Sequence, residues 1–386
     1  MIKKINSFLN TIFQSQNTDD VLECRKNIIK NINDSYLRYS ESSIGKQCVI
    51  TDQLKTISYS YQRHDLDITS PNPLSFLYNY KSTVDNQTLL DSHMLFFSSG
   101  MASISTVLMT FKQNYNSILF SDIPYFESYD YAQYLKFNCC EHKNYDHSST
   151  DILWICSSSY NFKSINYKDI QCKVIVFDTS CLDCSHKYIH ELIDYCLNKN
   201  ICLILVRSHI KIDCFGLEIN RLGSALFIND TKNYASHCKE IRKYLGNNIE
   251  IKAIYPWLGH DDFFYITTFG YTQVVKVYHQ VIELLNDKLY KEKYEVIHFD
   301  HEVYVNIKVK DKSKDLDIIN QDIIKYCHDS QINTLSSFYM YSIGLDNFVR
   351  VLDNNNQFLR IALSIYVDEN KTLYLINKII DYLNNL

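Results

Sequence analysis

With 386 residues, 46% of them hydrophobic and 22% charged, the chain is long enough for two cores, or for one large α/β domain with an appendage. A formal net charge of -5 at pH 7 supplies no basic field and argues against nucleic acid and anionic membrane as partners. The start, MIKKINSFLNTIFQSQ, has only a short apolar stretch broken by Asn6, Ser7 and Asn10, and nothing later approaches a membrane-spanning run, so a soluble cytoplasmic protein is expected.

In chain order, the first fifty or so residues read as a polar, helical arm (1–50). The middle then alternates short apolar runs with helical patterns: HMLFFSSG before MASISTVLMTF, then NSILFSD, DILWICSSS, KVIVFDTS before KYIHELIDYCLNKN, and ICLILVRS. That rhythm predicts β-α units around a mostly parallel sheet, whose ligands collect beyond the carboxyl ends of the strands. Each run ends in small or polar residues: Ser98-Ser99-Gly100, Asp122, Ser157-Ser158-Ser159, Asp178-Thr179-Ser180 and Ser208. One such ending is an ordinary helix cap, but several on one edge predict a site. A long helical pattern over about 262–290 is followed by the strand-like YEVIHF and VYVNIKV, then SSFYMYSIGLDNFVRVL, QFLRIALSIYV and the amphipathic KTLYLINKIIDYLNNL. The expected organisation is an arm (1–50), a large α/β domain (51–275) and a small α+β domain (276–386).

Thirteen cysteines, an odd number, with several inside apolar strands, are expected to be reduced and packed. Cys181-Leu-Asp-Cys184 is a lone CxxC without a second pair, and no metal site is expected. With only 8 Gly and 4 Pro, each glycine kept marks a demanding backbone position. Neither a GxGxxG turn, a P-loop nor a GxSxG elbow occurs, which removes nucleotide binding and serine-nucleophile hydrolysis from consideration.

Over about residues 55–370 the chain resembles the fold-type-I pyridoxal 5′-phosphate (PLP) enzymes, nearest to their Cys/Met-metabolism (transsulfuration) group. The likeness implies an aspartate aminotransferase-like α/β fold, a mostly parallel sheet in a large domain plus a small C-terminal α+β domain. It rests on Ser98-Ser99-Gly100-Met101-Ala102, similar to the family's phosphate-holding segment. A helix N-terminus offering free N–H groups and a hydroxyl suits a dianion, so Ser99, Gly100 and Met101 are implied cofactor contacts. Asp178, in VIVFDTS, matches the aspartate that keeps the pyridine nitrogen protonated. Ser208-His209-Ile210-Lys211 keeps the family's spacing between a phosphate-binding serine and the Schiff-base lysine, with Ile210 where the family has Thr. Lys211 is therefore the implied cofactor lysine and proton shuttle.

Arg360, in QFLRIALS, corresponds to the arginine that grips the substrate α-carboxylate. Tyr61 and Arg63, in YSYQRHD, resemble the Tyr-x-Arg sent across a dimer interface to the cofactor phosphate, implying a homodimer or homotetramer. Tyr125 aligns with the tyrosine that stacks on the ring and relays a proton, but the two glycines that follow it in the family are Phe126 and Glu127 here. The resemblance implies β- or γ-elimination or replacement on an amino acid. An aminotransferase of the same fold is the alternative reading, and a catalytically silent binding homologue is a third.

Overall fold

The computed structural model describes residues 92–122, 124–144, 149–159, 161–214, 221–247, 261–313 and 369–386, with strand segments at 48–50, 56–58, 344–350 and 357–363 and short stretches elsewhere. Most of the sequence-predicted arm, with Tyr61 and Arg63, lies outside the described residues. Two short strands come first, β1 (Cys48–Ile50) and β2 (Thr56–Ser58), paired antiparallel.

The large sheet is assembled from the apolar runs. β3 (His93–Phe97) leads into α1 (Gly100–Lys112), and β4 (Ser117–Phe120) into α2 (Phe126–Tyr134). Then follow β5 (Asn138–Glu141), β6 (Ile152–Cys156), β7 (Val174–Asp178), α3 (Lys187–Lys199), β8 (Cys202–Ser208), β9 (Gly223–Ile228) and α4 (Tyr234–Tyr244). The strand order is β3-β9-β8-β7-β6-β4-β5. β9 runs antiparallel to both of its neighbours, β3 and β8, and the other described pairs are parallel.

Every residue of β6 and β7 is buried, because helices cover both faces of the sheet and leave no solvent side for polar alternation. Successive side chains divide between two cores. Ile175 and Phe177 pack on one face with Ile189, Leu192 and Ile193 of α3, while Val174 and Val176 pack on the other with Val107, Leu108 and Phe111 of α1. The buried positions of α3, Tyr188, Ile189, Leu192, Ile193 and Cys196, recur at helical spacing, and the helix closes on Asn200 in the left-handed conformation (φ 55°). Replacing Phe177, fully buried in this layer, by Ala should destabilise the fold by about 3–5 kcal/mol, measurable by denaturant unfolding.

The C-terminal part begins with α5 (Asp261–Lys288), a continuous helix through the position, 275/276, at which the sequence places the domain boundary. β10 (Tyr294–Ile297), β11 (Tyr304–Val309), β12 (Gly344–Arg350) and β13 (Gln357–Ala362) form an antiparallel sheet in the order β10-β11-β13-β12, and α6 (Glu369–Asn384) closes the chain. Val277, Val281 and Leu285 of α5 pack with Val305, Ile307, Leu359 and Ile361 of the sheet and Ile376 and Ile379 of α6. Cys181 and Ile212, from loops at the carboxyl edge of the large sheet, belong to this same core. The small sheet thus closes over the loops that follow β7 and β8.

β5, β9, α2 and α4 were not predicted as separate elements. β9 is a short apolar run behind a glycine, and such a run encodes neither its length nor its direction. Among the described residues no helix is long and apolar enough to cross a membrane, and no group of side chains could hold a metal ion. The described cysteines form no disulfide, and burial pushes the thiol pKa of Cys139, Cys172 and Cys238 up to about 12.

Candidate active site

The sheet's carboxyl edge gathers the polar strand ends into one place. Ser99 caps α1, its hydroxyl accepting the Ala102 N–H at 3.0 Å. Helical geometry leaves the N–H groups of Ser99, Gly100 and Met101 without an intrahelical acceptor, so the helix end is a ready anion seat. Gly100 is there because Ser208 is there: a Cβ at residue 100 would stand 2.6 Å from the Ser208 Cβ and 3.0 Å from its hydroxyl oxygen. Lacking that atom, the helix end meets the end of β8, and the Ser208 hydroxyl lies beside the first turn of α1. Met101 is half-buried against the core beneath.

The next loop is tied to this corner. The Ser208 N–H donates to Ser180 Oγ at 2.8 Å, and the Ser180 N–H donates to Asp178 Oδ1 at 2.9 Å. Asp178 ends β7, almost wholly buried at 5% exposure. Lys211 lies in the turn after β8, its Nζ donating to Cys181 Sγ at 3.8 Å, three residues beyond Asp178. The phosphate-suited helix end, a carboxylate and an amine therefore occupy adjacent loops.

Tyr125 precedes α2 and is half-buried, and its hydroxyl donates to Glu127 Oε2 at 2.5 Å. Burial first, and then that hydrogen bond, raise its pKa, with the charges of Asp178 and Cys181 adding to the shift. Glu127, a departure from the expected glycine, thus holds the Tyr125 hydroxyl, and Tyr125 faces the same loops as Lys211.

The small sheet supplies the opposite wall. Tyr304 is buried at the start of β11, its hydroxyl donating to Ser158 O at 3.3 Å. Burial raises its pKa, and Arg360, Cys181 and Asp178 all act on it. Arg360 in β13 places its guanidinium 4.0 Å from the centre of the Tyr304 ring and donates through Nε to Asn306 Oδ1 at 3.2 Å. His301, fully buried, is held neutral by burial and by the nearby positive charges of Arg360 and Lys211. Among the described residues, the buried His301 Nε2 and Ser158 Oγ have no hydrogen-bond partner.

Of the sequence-predicted residues, the structure brings Ser99, Gly100 and Ser208 into contact and ties them through Ser180 to Asp178; Lys211, Tyr125 and Arg360 reach the same region through Cys181 and Tyr304. Sequence reasoning named Ser180 only as part of a polar strand end and gave Cys181, Tyr304 and His301 no part in the site. Cys181 stood next to that recognised strand end. Tyr304 and His301 belong to a distant hairpin whose place over the large sheet no local pattern encodes.

No family model matches the chain, and no curated protein matches it by sequence. Solved structures do match it. Aspartate aminotransferase from Thermotoga maritima is 10% identical over 92% of this chain and 88% of its own, with a TM-score of 0.53. 8-Amino-7-oxononanoate synthase from Francisella tularensis is 13% identical over 84% of this chain and 97% of its own, also at 0.53. L-Threonine-O-3-phosphate decarboxylase from Porphyromonas gingivalis is 16% identical over 81% of this chain and 88% of its own, at 0.51. At such identities the likeness is one of fold, and one fold hosts all three names. The chain has the aspartate aminotransferase-like α/β fold, a seven-stranded, mostly parallel sheet followed by a small C-terminal antiparallel sheet.

Proposed function

We propose that the protein is a PLP-dependent enzyme acting on an amino acid, with Lys211 as the residue that holds the cofactor covalently. The observation that carries this reading is the close approach of Gly100 to Ser208, which puts a helix N-terminus and two serine hydroxyls beside the loops bearing Asp178 and Lys211. A dianion seat, a carboxylate and an amine complement the phosphate, ring nitrogen and aldehyde of PLP, so the residues fit the group. When bound, PLP supplies an electron sink that weakens the bonds at an amino acid's α-carbon.

The chain's own residues would do the rest. Asp178 would hold a proton at the ring nitrogen, and Lys211 Nζ would take and return the α-proton. Tyr125, steadied by Glu127, would stack on the ring. Arg360 would bind the α-carboxylate in a two-pronged pair, and the edge-to-face pair of Tyr304 and Phe299 would exclude water. Tyr61 and Arg63 are proposed to reach a phosphate across a homodimer interface, and the large and small domains are proposed to meet near residue 275.

Elimination or replacement at the β or γ carbon is the first reading of the reaction, on the resemblance of the Ser-Ser-Gly-Met and Ser-x-x-Lys segments. Amino transfer is the second, favoured by the fold match to an aspartate aminotransferase over 92% of the chain. Release of a keto acid with conversion of the cofactor to its amine form would select the second.

The test is to add PLP to the purified protein, record the visible spectrum, reduce with borohydride and map the labelled peptide. A yellow protein labelled at Lys211 is expected; a colourless protein that takes up no PLP would overturn the proposal. Arg360→Ala is expected to raise KM for the amino acid by about 10- to 100-fold, the loss of a charge-assisted pair, while PLP stays attached. Loss of PLP from that variant would sink the carboxylate assignment.

A further inference from the structure

Beneath the turn that carries Lys211 lies a buried polar cluster with no assigned part in the chemistry. Arg207, His209 and Asp213 are each at most 2% exposed. Arg207 donates through Nε to Asp213 Oδ2 at 2.6 Å and through Nη2 to Oδ1 at 2.7 Å, a two-pronged pair. Its remaining edge, Nη1, donates to the carbonyls of Thr179 at 2.7 Å and Leu182 at 2.8 Å.

His209 Nδ1 lies 2.5 Å from Asp213 Oδ2, and its Nε2 lies 2.8 Å from Ser224 Oγ. Burial lowers the His209 pKa against the pull of Asp213, whose charge Arg207 already offsets. The ring is therefore neutral: Nδ1–H donates to Asp213, and Nε2 accepts the Ser224 hydroxyl proton. Burial by itself would raise the Asp213 pKa, but the Arg207 charge and the hydrogen bonds hold its carboxyl well below the usual range.

The placement of these residues gives the cluster its meaning. His209 stands two residues before Lys211 and Asp213 two after, so one carboxylate staples both ends of the lysine turn. Arg207 joins that staple to the segment 179–182, which begins beside Asp178 and contains Cys181, the neighbour of Lys211 Nζ. Ser224 follows Gly223, whose Cα is packed against the Ser99 carbonyl at the head of α1.

We infer that the chain Arg207–Asp213–His209–Ser224 is the positioning device that fixes Lys211 relative to Asp178 and to the N-terminus of α1. An ion pair taken wholly out of water adds little stability over an apolar packing of equal volume, so fold stability alone does not account for it. What it supplies is directional contact to three loops at once. The inference rests on the PLP reading, because the three loops matter together only if one ligand spans them.

The test uses the full chain in two variants. Ser224→Ala removes the last hydrogen bond and leaves no charge unpaired; Arg207→Lys keeps a cation beside Asp213 and loses the fork that reaches Thr179 and Leu182. Thermal unfolding without PLP reports the fold; the release rate of bound PLP and its visible circular dichroism per bound molecule report placement. Ser224→Ala is expected to release PLP about 3- to 10-fold faster with a weakened visible dichroism, and Arg207→Lys at least about 10-fold faster, with borohydride still labelling Lys211. If Arg207→Lys does not fold, Ser224→Ala alone decides. A folded Ser224→Ala whose release rate and dichroism equal the wild type's overturns the inference while leaving the PLP reading intact; a wild type that binds no PLP overturns that reading itself.

Discussion

Asp178→Asn is expected to keep PLP bound and reducible onto Lys211 while lowering kcat by roughly 10³-fold, about 4 kcal/mol of transition-state stabilisation. Asparagine is nearly the same size and can still accept the Ser180 N–H that Asp178 Oδ1 accepts at 2.9 Å, so the loop that joins Asp178 to Ser208 should stay in place. What changes is the charge. At 5% exposure the carboxylate is poorly solvated, and its attraction for a proton at the ring nitrogen is far less screened than it would be in water. A neutral amide holds no such proton, and the ring loses most of its pull on electrons at the α-carbon. Steady-state kinetics on the loaded variant would read the effect, and PLP methylated at its ring nitrogen, which carries the positive charge permanently, should restore part of the rate. A kcat within about threefold of the wild type would remove Asp178 from the proposed chemistry.

That Asp178 ends a strand was legible in the sequence because of where it stands. A strand covered on both faces must be apolar throughout, so the polar residue that ends VIVFD marks both the strand's end and the edge where ligands collect. The same reasoning placed Ser99 and Ser208 at element ends and anticipated most of the strands and helices. It missed β9 and its direction, because the short run GSALFI behind a glycine carries no local signal of either. Tyr304 and His301 were also out of reach, because they meet Cys181 and Lys211 only through the packing of one sheet's hairpin over another's loops.

The clamp under Lys211 did leave a signal. Arg207 ends the otherwise apolar run CLILV, and a cation in that setting needs a buried partner close by, which Asp213 is. The nearest group within the fold stayed unresolved for a related reason. In the proposed PLP chemistry a helix-end anion seat, a carboxylate and a lysine would serve every reaction alike, so the bond to be broken is left to groups such as Glu127, where the chain departs from the pattern.

Gly223→Ala should be among the most damaging single-atom additions in the chain. A Cβ there would stand 2.1 Å from the Ser99 carbonyl oxygen, 2.4 Å from its carbon and 2.8 Å from the Gly100 nitrogen, all backbone atoms that no side-chain rotation can clear. Residue 223 is also pinned from both sides, paired with Phe97 of β3 and with Ser208 of β8. To admit the methyl group, the corner between β3 and α1 must move away from β9, and with it the helix end now resting against Ser208. Overpacking of this kind costs about 1–3 kcal/mol in a yielding core and more against fixed backbone, so a loss of at least about 3 kcal/mol is expected. Gly246→Ala provides the comparison: its backbone is left-handed (φ 67°), but nothing lies within 4 Å of the new atom. It should cost only about 1–2 kcal/mol of backbone strain. Denaturant unfolding of the two variants would rank them, and titration with PLP would separate stability from site geometry. Where Gly246→Ala should bind PLP as the wild type does, any folded Gly223→Ala should bind it at least about tenfold more weakly, because the anion seat and the Ser208 hydroxyl no longer face one another. Equal affinities in the two variants would place the phosphate elsewhere.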